Sequence, residues 1–196
     1  CTNPAPFTGG SDQEDDASLR SRILESYQRL PNGANAAWYE QTAMGHEGVA
    51  AARAVGRARG IGTVDVYIAT AAGLPNGTLL AAVQADLQER REIAVDVQVK
   101  APAEVEMDVS AELAVREGAD FSAVKAAAEQ ALASFFSGRR LGGPVLLAEL
   151  GDLLYHVEGV ENYRLLAPAA DLAAEDGTLP MLGRVTVTEM EADDDV

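Results

Sequence analysis

The sequence predicts an α+β fold, two small sandwich-like α/β units with a related helix-to-hairpin plan, preceded by an N-terminal helix. Three observations predict it. The stretches TVDVYIAT at 63–70 and EVEMDVSAELAVR at 104–116 alternate apolar and polar residues with the period of two of a half-buried strand. The segments that follow them carry apolar residues three and four apart, the helical period. The step Glu-Gly-Val occurs at both 47–49 and 158–160, each time just after a histidine, His46 or His156, so one structural turn is used twice. At 196 residues there is room for two compact units, divided as a segment and helix over 1–32, a first unit over 33–101, a second over 102–190 and an acidic tail over 191–196.

Taken in order, Ser11 and Glu14 have capping-box spacing, and Glu14, Asp15 and Asp16 then fall where a helix dipole favours negative charge. A helix over about 13–29 follows, supported by the Asp16/Arg20 pair four residues apart and ended by Pro31-Asn32-Gly33. Asn35 can cap a short second helix carrying Trp38, Tyr39 and Met44. Val49–Val55 has room for a strand, although its alanine and arginine content is also compatible with partial helix, and Gly60 and Gly62 turn the chain into 63–70. These two strands read as a hairpin with a long tip. After the Leu-Pro-Asn-Gly turn at 74–77, a helix to about Arg91 puts Leu80, Val83 and Leu87 on one side, and IAVDVQVK at 93–100 is a third strand.

Pro102 marks the boundary. The strand at 104–116 turns Val105, Met107, Val109, Ala111 and Leu113 inward over a length that crosses most of a sheet. Asp120 caps a helix to about Phe136, and a second helix runs over 145–156 after a Gly-Arg-Arg-Leu-Gly-Gly-Pro turn. Strands at Val160–Leu166 and Gly183–Glu189 close the unit, joined by a polar loop containing Pro168 and Pro180. In both units a helix ends at Glu-Gly-Val, the glycine (Gly48 or Gly159) reverses the chain, and the valine starts a strand of a hairpin. Gly33, Gly48, Gly60, Gly62, Gly159 and Gly183 are thus the expected structural turns.

The composition narrows the function. A formal charge of −16 argues against a nucleic-acid surface, which needs clustered Lys and Arg. No stretch approaches the roughly 18 apolar residues of a membrane span, and the start CTNPAPFTGG lacks the features of a signal peptide. Opening on Cys1 in a polar, Pro/Gly-rich stretch, the sequence reads as cut from something longer. One cysteine excludes an internal disulfide. His46-Glu47 is not a zinc motif, because Ala50 stands where HExxH needs its second histidine. No Gly-x-Ser-x-Gly elbow occurs, and GRARGIG precedes a strand and lacks the Lys-Ser/Thr of a phosphate-binding loop. Neither a metal, a cofactor nor a catalytic set is expected. Arg53, Arg57 and Arg59 form the densest basic cluster of an acidic chain and could meet an acidic partner surface.

The order of short motifs resembles one family. Gly10-x-Asp12-x-Glu14 leading to Arg20-x-Arg22, Pro31-x-Gly33-x-Asn35 with Tyr39, Gly48-Val49 and Gly60-x-Gly62-Thr63-Val64 are similar to the baseplate J family of contractile phage tails. Pro75-Asn76-Gly77, Ala101-Pro102, Gly118-Ala119-Asp120-Phe121, Glu158-Gly159-Val160 and Leu182-Gly183-x-Val185-Thr186-Val187 continue the pattern. The resemblance implies a structural role without catalytic residues: several copies form wedges around a baseplate hub and join hub to sheath in a phage tail or injection machine. It implies wedge, hub and sheath-proximal proteins as partners in a homo- or hetero-oligomer, a place in the virion tail baseplate after assembly in the host cytoplasm, and a longer N-terminus. Asp12, Glu14 and Arg20 then either support their own helix or touch a neighbouring subunit. The alternative from another class is a small-ligand or carbohydrate-binding module on a phage or cell surface, against which the 5% aromatic content counts.

Overall fold

The computed structural model describes residues 35–190, together with residues 16, 19, 20, 23 and 24. Those last five are helical, within the helix expected over 13–29, and Arg20 is exposed on it. Asp12, Glu14, Gly33 and the 191–196 tail lie outside the described residues.

The first sheet is built from α1 (Ala36–Met44), β1 (Ala51–Gly56), β2 (Thr63–Ala69), α2 (Gly77–Arg90) and β3 (Asp96–Lys100). Its order is β1-β2-β3, with β1 antiparallel and β3 parallel to the central β2. Both helices begin where an asparagine takes up a free backbone donor: Asn35 Oδ1 accepts from Trp38 N–H at 3.0 Å, and Asn76 Oδ1 from Leu79 N–H at 2.8 Å. Replacing Asn76 with alanine should therefore lower stability by about 1 kcal/mol, with serine costing less, as read by urea denaturation. The helices cover one face of the sheet, where Tyr39, Ala43, Val66, Ile68, Val83, Leu87 and Val97 make the core. The edge of β1 is not left open to α1, because the buried Glu40 accepts the Ala54 N–H at 3.0 Å.

The second sheet follows after two residues of connection, with β4 (Ala103–Val115), α3 (Phe121–Phe135), a 3₁₀ turn (Gly138–Arg140), α4 (Leu147–Tyr155), β5 (Val160–Ala167) and β6 (Thr178–Glu189). Asp120 caps α3 through Ser122 and Ala123. The cap of α4 comes from a distant loop, since Asp171 Oδ1 accepts the Leu147 N–H at 2.7 Å. The inward residues of β4 pack on Val124, Ala128 and Leu132 of α3 and on Leu150 and Leu154 of α4.

The strand order corrects one expectation. The strand that Val160 opens is not half of a hairpin with the last one: the order is β5-β4-β6, so β4 lies between them, antiparallel to β5 and parallel to β6. The reason is the length and apolar face of β4, which at the centre pairs its backbone on both sides, while as an edge it would leave one side of a thirteen-residue strand unpaired. The last strand also starts earlier than Gly183. It includes Pro180, which an edge strand tolerates because no ladder donor is needed on the open side. Gly183 accordingly is not a turn but an interior residue of β6 beside the register shift between Met107 and Val109. A Cβ there would overlap the Asp108 carboxylate, which accepts the Arg184 N–H at 2.7 Å.

Candidate functional site

The twice-used Glu-Gly-Val step folds the same way both times. Gly48 and Gly159 each have φ of +91°, and in each case the following valine N–H, of Val49 or Val160, donates 3.1 Å to the carbonyl three residues back, His46 or Val157. Positive φ at the third position of such a turn suits glycine and strains any residue with a Cβ. The echo lies in this turn and not in the sheets, which are wired differently. The two histidines sit beside it: His46 Nε2 is 3.1 Å from Asp86 Oδ2, tying the end of α1 to α2, and His156 is the C-cap of α4 next to Asp152. Among the described residues no group of His, Cys, Asp or Glu could hold a metal ion, and no helix is long and apolar enough to cross a membrane.

The arginine cluster of the hairpin does not stay together. Arg59 folds back along the sheet, its Nε donating to Asp65 at 2.7 Å and its Nη1 to Asp96, so it holds the tip onto β2 and β3. Asp65 also receives Lys100 Nζ, from the last residue of β3. Burial alone would raise the Asp65 pKa, but the Lys100 and Arg59 hydrogen bonds and charges outweigh it and hold the carboxyl below its ordinary range. Arg53 is engaged elsewhere, 2.7 Å from Asp176 of the β5–β6 loop, and that bond raises its pKa. Arg57, in left-handed backbone at φ 63°, is exposed and has no ion-pair partner among the described residues. Of the candidate contacts, Arg20 and Arg57 are thus exposed, while Arg53 and Arg59 are held in ion pairs.

Sequence reading missed the seam between the two sheets. The face of the first sheet opposite its helices carries Tyr67 and Ala69, and these meet Leu141, Leu179 and Met181 of the second unit in a small apolar cluster. Two glycines permit the close approach, one against backbone and one against a side chain. A Cβ on Gly138 would lie 1.7 Å from the Thr70 carbonyl oxygen, and one on Gly177 would lie 2.7 Å from the Tyr67 ring. The Arg53–Asp176 pair rims this contact. Glycine in a loop carries no pattern that distinguishes close approach from a turn, and so the seam had no signal beyond the excess of glycines themselves.

An open depression of about 580 Å³ lies at the end of the first sheet away from the hairpin tip, lined by Glu47, Gly48, Ala71, Ala72, Leu79 and Ala82 among others. The single tryptophan, Trp38, is half-buried and packs edge-on against Tyr39 at 4.8 Å on the core of the first unit.

The chain is thus built of two α+β units that meet at a small apolar seam rimmed by the Arg53–Asp176 pair. Residues 31–101 match the Baseplate J-like central domain and residues 107–188 the Baseplate J-like protein C-terminal domain. The chain belongs to the baseplate J family. It is 29% identical over 163 residues to Baseplate protein J of Escherichia phage P2, covering 81% of this chain and 54% of that protein. Phage-like element PBSX protein XkdT of Bacillus subtilis (strain 168) is 24% identical over 192 residues, 92% of this chain and 55% of that protein. The chain thus spans about half the length of these relatives. In fold it is similar to a chain of the anti-feeding prophage baseplate, seen in a cryo-EM structure with six-fold symmetry applied, with a TM-score of 0.59 and 14% identity over 89% of this chain and 43% of that one.

Proposed function

We propose that this chain is a structural part of a baseplate wedge subunit, linking hub and sheath in a contractile phage tail or a related injection machine, and that it works by binding and not by catalysis. The observation that carries the reading is the tandem match: the central and C-terminal domains of the family follow one another across both units, over 31–101 and 107–188. The relative named as a baseplate protein and the baseplate structure of similar fold support it. Its partners in this reading are other wedge, hub and sheath-proximal proteins, met in the tail baseplate of the virion after assembly in the host cytoplasm, with Asp12, Glu14, Arg20 and Arg57 as candidate contacts.

A contracting tail needs interfaces that rearrange, and the Lys100-Ala101-Pro102-Ala103 junction is the covalent pivot between the units. Pivoting there would require the Tyr67, Leu141 and Leu179 seam to open. Equal inter-unit angles before and after contraction would count against a hinge at this place. The wedge role itself is tested by light scattering on a sizing column, with the chain alone and then mixed with the products of its neighbouring genes. A defined complex formed only in the mixture is the expected result, and a chain that ignores every neighbour would overturn the reading.

A further inference from the structure

The two ends of the first sheet are unlike, and each has what the other lacks. At the tip end, Ile61 is 96% and Ile93 100% exposed. Their loops are joined, because Asp96 N–H donates 2.8 Å to the Gly62 carbonyl, so the two side chains stand at one end of the sheet. Arg57 shares that end, its charge unpaired among the described residues, while Arg59 is held by Asp65 and Asp96 and keeps the tip in place. A fully exposed isoleucine in each of two adjoining loops leaves apolar surface in water that a contact would remove. At the opposite end, beyond the start of β1 and the end of β2, lies the shallow open depression lined by Ala71, Ala72, Leu79 and Ala82 beside the polar Thr70, Asn76 and Thr78, with the exposed acid Glu47 at its edge. Small side chains there leave space for a larger aliphatic one.

We propose that these ends bind each other between copies of this chain, the 57–62 tip of one copy seating Ile61 in the alanine-lined depression of the next, with Arg57 facing Glu47. The occupant is a second copy because knob and hollow, cation and anion, apolar side chain and apolar floor occur on the same unit and face opposite ways. Such a contact is heterologous, so each bound copy still presents one unfilled end and association extends to a ring or a row. Arg59 contributes by holding the tip, and the electrostatic pair sets register. The inference goes beyond the wedge reading and does not depend on it, since it concerns contacts between identical chains.

The test is a mixed cross-link of the full chain in a Cys1→Ser background. One preparation carries Ile61→Cys and the other Ala82→Cys, both exposed positions at which folding is checked by circular dichroism. On mild oxidation, the disulfide between the two preparations should exceed that of either with itself. Glu47→Arg in the Ala82→Cys chain should lower its yield by about tenfold, and Arg57→Glu in the Ile61→Cys chain should restore it. A dominant self-link of the Ile61→Cys chain would mean tip-to-tip contact and overturn the proposal, as would a mixed yield no greater than the self-links. Heterologous binding to neighbouring gene products would be unaffected by either failure.

Discussion

Gly138→Ala is expected to destabilise the protein by about 3 kcal/mol or more, at or above the upper end of ordinary overpacking. The added methyl would lie 1.7 Å from the Thr70 carbonyl oxygen and 2.9 Å from its carbon. A flexible side chain could swing aside, but here the obstacle is backbone, and Gly138 N–H is itself directed at the Ala71 carbonyl at 3.4 Å. The 3₁₀ turn can recede only by withdrawing Leu141 from Ala69 and Leu179, so relief of the clash opens the seam. Urea unfolding should therefore become broader or split into two transitions as the units lose their coupling, and hydrogen exchange should rise at 67–73 and 177–181. Gly77→Ala is the control: nothing lies within 4 Å of its Cβ position, and the change should stay within about 0.5 kcal/mol. Equal stability of the two variants would show that the seam is not closed at Gly138.

Much of the fold was legible because local chemistry and global packing agreed. Val109, Ala111 and Leu113 alternate along β4 and are all fully or almost fully buried, and Asp120 caps the helix that its position announces. What could not be read is decided across long sequence separations. The alternation of Val64, Val66 and Ile68 identifies one buried face of β2 and by the same logic assigns Asp65 to water. On that other face Arg59 and Lys100 reach over Asp65, which is only 2% exposed. Likewise, no local signal sets β4 between β5 and β6. Pro180 reads as loop because its edge position is not encoded locally, and the three hairpin arginines read as one patch although Arg53 pairs with Asp176 and Arg59 with Asp65 and Asp96, in three different elements, while Arg57 pairs with none among the described residues. The site suffered more than the fold because contact surfaces are made of such long-range pairings.

Asp65→Asn should cost about 2 kcal/mol at pH 7, the second largest effect expected of a single change. The amide has nearly the shape of the carboxylate but presents a donor to either Arg59 or Lys100, both of which only donate, so one strong bond is lost and the buried charge with it. The loss is smaller than for a wholly buried pair because Arg59 and Lys100 reach water and can be solvated again. The pH dependence follows from the sign of the shift. With the folded carboxyl held below its ordinary value of 3.8, the ionised form stabilises the fold fully above that value, and the contribution is lost as pH falls through the lowered folded value. Between wild type and Asp65→Asn, the difference in urea midpoint should thus be constant from pH 7 to about 5 and narrow below about 4. A gap that persists unchanged at pH 3 would show that packing, not charge, holds this position. Because Asp65 joins the hairpin tip through Arg59 to the end of β3 through Lys100, the variant should also raise hydrogen exchange in 57–63 and 96–103 together, which loss of a local tip contact alone would not do.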